Sequence, residues 1–457
     1  MTSTPRRSVY RKPDFAKLWT AATISLFGTQ VTQIAIPVIA VLLLQASPGE
    51  VGLLTTIEFL PFLLFTLPAG VWVDRLRRRP ILIAADLGRA LMLISIPVAF
   101  AADALTMWQL YVVGFANGVF TVFFDIADQS YLPTVLERDE LVDGNAKLQM
   151  SHSSAQILGQ PVGGGIVAAL SAPVAIVIDA ISYVVSALLV FAIRRPEAHS
   201  PASTTAAAAS ADEVAESSLS GTGVVAEAAA ADPTVNAAPG SGPRRSMRQE
   251  IAEGLRYIVS HRYLARIAAT TSSANLFGNI AFAIFAVYAY RDLELSPAEV
   301  GLIGGFGGGG VLLGALISSR VADRFGIGRS IVGSAFLFGP IGLLVPLATP
   351  DTALYLLGAA FFLSSIANVV YNVNQVSLRQ AITPERFLGR MNATMRFIVW
   401  GTIPVGSLIG AGLSEVTDVR TTVWVGAILS LFAFLPVFFS PVRSLQRIPE
   451  PQESVTA

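Results

Sequence analysis

The chain has 457 residues, of which 53% are hydrophobic and 14% are charged, and its formal net charge is zero. A soluble domain carries roughly 25% charged residues, so this composition is typical of a membrane protein and argues against a soluble enzyme. The chain has no cysteine and three scattered histidines, which excludes disulfides and thiolate sites and predicts no metal centre and no cofactor. The balanced charge gives no indication of nucleic-acid binding.

Apolar stretches that are long enough to cross a hydrocarbon core of about 30 Å as helices recur along the chain. We predict twelve spans. The first six are Phe15–Leu44, Val51–Val73, Pro80–Ala101, Trp108–Leu132, Leu148–Leu170 and Pro173–Ile193. The second six are Tyr263–Tyr290, Ala298–Ser319, Ile331–Thr349, Thr352–Ser377, Phe387–Leu413 and Thr421–Phe439. The first span is too long for a cleaved secretory signal.

Between Arg195 and Arg245 the sequence turns to Ala, Ser, Gly and Pro with scattered acids, a composition that cannot bury a core. We therefore expect a cytoplasmic tail over residues 1–14, a six-helix bundle over 15–193, a cytoplasmic linker over 194–262, a second six-helix bundle over 263–439 and a tail over 440–457. At the end of the linker, Ile251, Leu255 and Ile258 recur at helical spacing. They predict a short helix on the membrane surface, either a regulatory arm or a loop end that packs on lipid.

Basic residues cluster in alternate loops, as between Arg75 and Arg79, and acidic residues such as Glu50 and Asp103 fill the intervening loops. Under the positive-inside rule, this pattern places both termini in the cytoplasm and requires an even number of spans. We expect a multi-pass protein of the cell membrane, inner or plasma, that is surrounded by the lipid bilayer and is monomeric.

Landmarks at matching places in the two halves predict an internal repeat. Asp-Arg ends the second span and also the eighth, and Pro-Val-Gly occurs in the fifth span and in the eleventh. The residues are Asp74-Arg75 and Asp323-Arg324, then Pro161-Val162-Gly163 and Pro404-Val405-Gly406. Two parallel six-helix halves are the architecture of one class of secondary transporter.

The loop after the second span resembles the signature G-x-x-x-D-R-x-G-R-K/R of the major facilitator superfamily, with Leu76 and Arg77 where that family has its second glycine. The resemblance implies an all-α membrane protein with twelve transmembrane helices in two pseudo-symmetric six-helix bundles. It also implies a cytoplasmic gate. The residues that we assign to this gate are Gly70, Asp74, Arg75, Arg78, Arg79, Asp128, Asp323, Arg324, Gly326 and Arg329.

The fifth span resembles the antiporter motif G-P-x-x-G-G, which marks exporters in the family. The motif positions here are Gln160, Pro161, Gly164 and Gly165, with Gln160 in place of the first glycine. The fourth-helix arginine of many drug:proton antiporters, in the pattern R-x-x-x-G, is absent, since Gly114 precedes Gly118 by four residues. The fragment Asp86-Leu-Gly-Arg89-Ala and the overall layout look most like the branch of macrolide and siderophore (enterobactin-type) exporters.

In this family the first helix of each triplet lines the central cavity, and polar residues of the first, fourth, seventh and tenth spans share helical faces. The residues that we predict to line the cavity and contact substrate are Gln30, Gln33, Asn117, Asp125, Asn275, Asn279, Asn368, Tyr371, Asn372 and Gln375. The alternative is interhelical hydrogen bonding, worth about 1 kcal/mol per bond.

Ionisable side chains inside a span cost about 3 kcal/mol each at mid-membrane, so each needs a partner or a task. Asp86 and Arg89 lie one helical turn apart and predict an ion pair, although Arg89 can also reach Asp125 or Asp128 in the next helix. Asp128 lies near the cytoplasmic end of its span, where contact with Arg75 or Arg78 would latch one conformation.

Glu58 and Asp179 have no basic residue nearby in the sequence. A carboxyl group in apolar surroundings favours its protonated form, so these two residues are candidates for proton coupling or, alternatively, for a hydrogen-bonded structural role. Arg396 is either a counter-ion for an acidic substrate or a snorkelling side chain.

The sequence predicts a secondary active transporter that alternates between inward-open and outward-open states and exports small amphipathic molecules, drug-like, macrolide-like or siderophore-like, by proton antiport. The glycine run at Gly304–Gly310 has no following Lys-Ser/Thr, so it is not a Walker-type phosphate loop. The rivals are an importer or symporter of the same fold and a membrane sensor without transport. A membrane-embedded enzyme is a distant third, because no nucleophile, base and oxyanion donor are grouped in the sequence.

Overall fold

The computed structural model describes residues 9–137, 140–194 and 255–447. Throughout this part the chain is helical and contains no strand. The first six segments are α1 (Pro13–Val38, extended by a π-turn at Ile39–Leu43), α2 (Pro48–Arg75), α3 (Arg78–Ala101), α4 (Met107–Val135), α5 (Leu141–Ser154, a π-turn at Ala155–Gly159, and Gln160–Leu170) and α6 (Ala172–Phe191). The next six are α7 (Leu264–Phe282, Phe285–Val287 and a π-turn at Tyr288–Asp292), α8 (Pro297–Phe325), α9 (Ile327–Gly342), α10 (Ala353–Ile382), α11 (Glu385–Val416) and α12 (Val419–Ser430 and Leu435–Phe438).

The described residues thus confirm the predicted all-α fold. Ten segments are long and apolar enough to cross a membrane by length and composition. The other two are α5, which a π-turn divides, and α9, which has 16 residues. Two predicted boundaries are wrong by about two turns. α5 begins at Leu141 rather than Leu148, because its polar first half is helical despite low hydropathy, and α9 ends at Gly342 rather than Thr349, because turns follow it.

Two of the helices, α2 and α8, begin with a capping box. At the start of α2, the Ser47 hydroxyl accepts from the Glu50 N–H at 3.2 Å, and the Glu50 carboxylate accepts from the Ser47 N–H at 2.8 Å. Ser296 and Glu299 form the same capping box at the start of α8, with distances of 3.3 and 2.8 Å. Each box satisfies two N–H groups that the helix itself leaves without acceptors.

The structure preceding these caps is repeated as well. α1 and α7 both end in a five-residue π-turn, and each π-turn is followed by a residue with positive φ, Gln45 at 53° and Glu294 at 54°. The connection α1–α2 is therefore repeated, turn for turn, as the connection α7–α8. This repeat extends the pseudo-symmetry predicted from the Asp-Arg and Pro-Val-Gly landmarks.

Packing follows the two six-helix sets. In the first set α1 and α3 pack on α6, and α2 and α3 pack on α4; in the second set α8 and α9 pack on α10, and α7 packs on α11 and α12. The most extensive contacts between the sets join α2 with α11 and α5 with α8.

The predicted surface helix is only partly described, since Ile251 lies outside the described residues. Residues 255–260 are helical. Ile258 is buried in a cluster with Tyr263 and Ile382, and Tyr257 stacks on Phe387 of α11 with ring centroids 5.0 Å apart. One face of this part packs on the second bundle through Ile258 and Tyr257, while Leu255 and Val259 on it are exposed.

Candidate transport site

The two ends of the bundle differ in charge, and we name them accordingly. The basic end holds the connections α2–α3, α4–α5 and α8–α9, and the opposite end holds α1–α2, α7–α8 and α11–α12.

α2 and α11 are in close contact from the opposite end to the middle of the bundle. The Glu415 carboxylate accepts a hydrogen bond from the Gly49 N–H at 2.8 Å. One turn further, a Cβ on Gly52 would lie 2.6 Å from the Ala411 Cβ, so only glycine allows this approach. Near the middle, the rings of Phe62 and Trp400 meet edge to face at 5.9 Å.

α5 and α8 form the second contact, and the predicted antiporter-like motif lies in it. A Cβ on Gly164 would meet the Pro297 carbonyl oxygen and would lie 3.0 Å from the Gly301 Cα. Gln160 occupies the space beside Gly304, and Pro161 the space beside Gly305. Gly165 is exposed and has no neighbouring atom within 4 Å of a Cβ position. Three motif positions therefore bring the helices together, and the fourth does not.

The α5–α8 contact ends near mid-bundle. The last close glycine in it is Gly308, whose Cβ would lie 2.8 Å from the Ile157 Cα, whereas Gly310 and Gly314, nearer the basic end, approach α10 instead. A further cross-set hydrogen bond, from Arg291 Nη2 to the Val41 carbonyl at 2.8 Å, also lies at the opposite end. The two sets are thus held together at the opposite end.

At the basic end, the described gate residues do not bridge the sets. Asp323, Arg324 and Arg329 are exposed. Gly326 makes the turn from α8 to α9 with a φ of 86°, a conformation that favours glycine. A Cβ on Gly70 would have no atom within 4 Å, so this motif glycine has open space beside it.

The arginines of the first gate loop differ in their contacts. Arg79 donates from Nε to the Val190 carbonyl at 3.2 Å and from Nη2 to the Phe191 carbonyl, which are the last carbonyls of α6. This is the interaction expected of a cation at a helix C-terminus. Arg78 is half-buried, whereas for Asp74 and Arg75 the description covers the backbone at the end of α2 and not the side chains.

A small cleft lies between α2, α4 and α11, on the basic side of the Phe62–Trp400 contact. Its lining residues come from both six-helix sets: Phe62, Thr66, Val122, Asp125, Ile126, Gln129 and Arg396. The Arg396 guanidinium lies over the Trp400 ring at 4.2 Å. The Asp125 carboxyl has no hydrogen bond or ion pair with any described residue, and Arg396 and Arg89 are the cations within its electrostatic reach. The cleft is amphipathic and carries both signs of charge.

A buried polar network lies behind this cleft. Asp86 and Arg89 form the predicted ion pair at 2.5 Å, and both are nearly inaccessible to solvent, at 0% and 5% exposure. The Arg89 guanidinium is held between the Phe124 ring at 4.2 Å and the Tyr183 ring at 4.3 Å. Tyr183 in turn shares a hydrogen bond of 2.8 Å with Thr29 of α1. The network fixes Arg89 between α3, α4 and α6.

The two predicted proton-coupling residues have different surroundings. Asp179 is fully buried and accepts hydrogen bonds from Thr32 at 2.5 Å and from Ser182 at 3.0 Å, which favours the structural alternative. Glu58 is half-buried against Gly114 of α4 and has no hydrogen-bond or ion-pair partner among the described residues.

Asp128 was predicted to contact the arginine loop. Within the described residues its carboxyl forms no hydrogen bond or ion pair, and its charged neighbours are Asp125, Asp86 and Arg89. Among the described side chains, Arg89 rather than Arg78 is therefore the cation near Asp128.

The predicted cavity residues of the first set are distributed over three environments. Gln30 is buried against Gly159 of α5, Gln33 is exposed, and Asn117 is half-buried. The side-chain oxygens of Gln30 and Asn117 are buried without a hydrogen-bond partner among the described residues. Asp125 alone of the ten predicted cavity residues lines the cleft.

In the second set, Asn275 donates to the Val399 carbonyl at 3.4 Å, and Asn279 donates to the Asn275 carbonyl at 2.8 Å. On α10, Tyr371 turns to α7 and shares a hydrogen bond of 2.8 Å with Thr271.

The rest of the α10 stripe is partly or fully buried. Asn372 accepts from Gln375 at 2.7 Å, and Gln375 is fully buried, whereas Asn368 is half-buried. The helical face was predicted, but its members contact different neighbours, and the contacts of Tyr371 and Asn275 fit the interhelical alternative.

Sequence reasoning missed Phe62, Trp400, Glu415 and Arg291. The aromatic residues looked like ordinary span residues, and the two charged residues lie at helix ends, where charges are common. One signal for the two charged residues was available in the sequence. Glu415 and Arg291 both lie on the side of the membrane that was predicted to be acidic, close to predicted helix starts.

Comparison with known proteins gives the wider context. The Major Facilitator Superfamily model matches residues 18–274 and 267–456. Macrolide efflux protein A of Streptococcus pyogenes is 27% identical over 191 residues, which are 41% of this chain and 46% of that protein. The uncharacterized MFS-type transporter YfiS of Bacillus subtilis (strain 168) is 28% identical over 200 residues, 43% of this chain and 47% of that protein. The chain spans about half the length of these curated relatives.

The crystal structure of a bacterial homologue of the iron transporter ferroportin in its inward-facing state superposes with a TM-score of 0.69 at 14% identity, covering 94% of this chain and 99% of that chain. The outward-facing state of such a homologue superposes with a TM-score of 0.53 at 15% identity, covering 93% and 98%. At these identities the likeness establishes the fold. Since the family model matches nearly the whole chain, the chain belongs to the major facilitator superfamily, a family of membrane transporters rather than enzymes.

Proposed function

We propose that this chain is a secondary active transporter that exports small amphipathic molecules from the cytoplasm by proton antiport, alternating between inward-open and outward-open states. The observation that carries the proposal is the difference between the two ends. The opposite end is closed by the α2–α11 and α5–α8 contacts, whereas at the basic end Asp323 and Arg324 are exposed and Gly70 has open space beside it.

We take the basic end as cytoplasmic, following the positive-inside rule. The conformation is then inward-open, and the gate residues at the basic end would meet only in the outward-open state. The better superposition on an inward-facing structure than on an outward-facing one, with TM-scores of 0.69 and 0.53, supports this assignment. The protein would work as a monomer in the cell membrane.

Export rather than import is supported by two features. The antiporter-like motif supplies the close α5–α8 contact at Gly164, and one relative is a macrolide efflux protein. The cleft at Asp125 and Arg396 combines aromatic and charged groups, which suits a ligand with apolar bulk and polar substituents, drug-like, macrolide-like or siderophore-like.

Proton coupling is supported by carboxyl groups that lack partners inside the spans. Such groups are costly in a membrane unless they have a task. The sequence singles out Glu58 and Asp179, and of these Glu58 lacks a hydrogen bond among the described residues.

The test is efflux from cells preloaded with a panel of fluorescent dyes, macrolides and siderophores, with and without a protonophore. Cells expressing the wild type should lose at least one substrate faster than empty cells, and the protonophore should abolish this loss. Asp74→Asn should reduce efflux strongly, because it removes the motif carboxylate, whereas Asp103→Asn, an exposed residue of the α3–α4 connection, should leave it unchanged. Accumulation instead of loss would identify an importer, and a substrate-dependent phenotype without any flux would favour a sensor.

A further inference from the structure

Helix α4 carries two carboxyl groups one turn apart, Asp125 and Asp128, next to arginines from two different helices. Neither carboxyl forms a hydrogen bond or ion pair with a described residue. Arg89 of α3 is within electrostatic reach of both, and Arg396 of α11 is within reach of Asp125. These residues come from α3 and α4 of the first set and from α11 of the second set.

Arg89 belongs to the first set and is held rigidly. It is ion-paired with Asp86, clamped between two aromatic rings, and 5% exposed, yet its Nε is buried with no hydrogen-bond partner among the described residues. Because all of these contacts lie within the first set, Arg89 keeps its place beside Asp125 and Asp128 when the sets move relative to each other.

Arg396 belongs to the second set and is the variable cation. It reaches Asp125 only because α11 lies beside α4 across the cleft in this conformation. The movement that closes the basic end changes the position of α11 relative to α4, so the distance from Arg396 to Asp125 depends on the state of the transporter.

The net charge of the group formed by Asp125, Asp128 and the arginines therefore also depends on the conformational state of the transporter. With Asp86 neutralised by Arg89, ionisation of both Asp125 and Asp128 leaves two negative charges, of which Arg396 offsets one. Two carboxyl groups this close, in surroundings of low polarity, bind a proton between them more readily when no further cation is near. Moving Arg396 toward Asp125 therefore expels the proton, and moving it away recovers the proton.

We propose that Asp125 and Asp128 form the proton-binding pair of this transporter, and that Arg396 of the opposite six-helix set controls proton binding according to the conformation. The inference rests on the proposed proton antiport and replaces Glu58 and Asp179 as the coupling residues. The proton affinity of the pair would then differ between the inward-open and the outward-open states.

The other ionisable groups around α4 do not control proton binding by Asp125 and Asp128 in the same way. On α2, Glu58 faces Gly114, about three turns from Asp125. On α6, Asp179 and Tyr183 lie on the far side of Arg89.

The lysines of the two remaining neighbours of α4 have partners of their own. Lys17 of α1 pairs with Asp14 at 3.2 Å, and Lys147 of α5 pairs with Asp143 at 2.5 Å. Among the side chains that the structure describes, Arg396 is thus the cation near the pair that comes from the other set.

The test measures conformation against pH in the absence of substrate. The chain contains no cysteine, so Met150→Cys on α5 and Leu316→Cys on α8, both exposed, give spin labels that report opening of the basic end. The purified full-length protein in nanodiscs should change its label distances between acid and alkaline pH. Asp125→Asn with Asp128→Asn should abolish this change, and Glu58→Gln should preserve it.

Arg396 gives the decisive comparison. Arg396→Gln removes the cation, so the midpoint of the distance change should move to higher pH by about one unit, whereas Arg396→Lys should stay close to the wild type. A double variant that keeps the wild-type pH response overturns the proposal, as does loss of the response in Glu58→Gln. Thermal unfolding of every variant separates these results from misfolding.

Efflux with a protonophore separates this inference from the proposed function. A pH response that needs Asp125 and Asp128, combined with protonophore-sensitive efflux, supports both. A response that persists in the double variant while efflux is protonophore-sensitive overturns the carboxyl pair alone. A response that needs the pair while efflux ignores the protonophore retains the pair and overturns proton-driven export.

Discussion

The Glu415 carboxylate, in the last turn of α11, accepts a hydrogen bond from the Gly49 N–H, in the first turn of α2, at 2.8 Å. The first N–H groups of a helix lack intrahelical acceptors and carry partial positive charge, so an anion there is stabilising. Because α2 and α11 belong to different six-helix sets, this one bond ties the sets together at the opposite end.

Glu415→Gln should weaken the closure of the opposite end. Loss of the charge at the helix start costs about 1 kcal/mol, which corresponds to about a fivefold increase in the population open at that end. Spin labels at Leu53→Cys on α2 and Leu302→Cys on α8 would measure the population. Glu299→Gln is the matched control, because Glu299 caps α8 within its own set. Equal effects of the two variants would show that the cross-set bond does not hold the end closed.

Gly308→Ala should separate α5 from α8. The added Cβ would lie 2.8 Å from the Ile157 Cα and 3.0 Å from the Gln156 carbonyl oxygen, which are backbone atoms that cannot turn aside. Overpacking of this kind costs about 1–3 kcal/mol, so the inward-open population and the efflux rate should fall about tenfold. Gly309→Ala, whose Cβ would lie an ordinary 3.7 Å from the Phe362 ring, should behave like the wild type. If both variants transport normally, the α5–α8 contact is not required.

Arg89→Gln should destabilise the fold rather than only impair transport. It leaves Asp86 buried without its ion-pair partner, and breaking a buried pair from one side costs about 3–5 kcal/mol. Thermal unfolding in detergent should show a clear loss, and adding Asp86→Asn should restore part of it. Arg77→Gln, at an exposed position of the adjacent loop, serves as the control. A melting temperature unchanged by Arg89→Gln would contradict the structural role of the network.

Gly70→Ala should fold normally and still fail to transport. In the conformation described here a Cβ at this position meets no atom within 4 Å, so stability should be unchanged. If the basic end closes over Gly70 in the outward-open state, the methyl group blocks that closure. Efflux and thermal unfolding of Gly70→Ala should be measured on the same preparation. Efflux at the wild-type rate would show that nothing packs on Gly70 in either state.

Hydropathy and charge were sufficient to predict most of the fold, because membrane spans must be apolar and their flanking charges must alternate. They failed for the first half of α5, Leu141–Ser154, where the helix is polar. The two capping boxes at Ser47 and Ser296 were visible as Ser-Pro-x-Glu in both halves, and a comparison of loop sequences would have found them.

The candidate site was less predictable. Helical periodicity gives the face on which Tyr371 lies, but not that this face meets Thr271. The approach of Arg396 to Asp125 joins residues far apart in the sequence, and no local pattern encodes it. Burial of the Asp86–Arg89 pair was predictable, because two opposite charges one turn apart in an apolar helix satisfy each other.

The π-turns that end α1 and α7 also bear on the history of the chain. A π-turn accommodates one additional residue within a helix without disturbing the helix on either side. Both halves carry this additional residue at the same place, before the same positive-φ residue and the same capping box. The simplest explanation is that the residue was already present in an ancestral six-helix protein before its gene doubled, because the two halves match from the π-turn to the capping box without a gap.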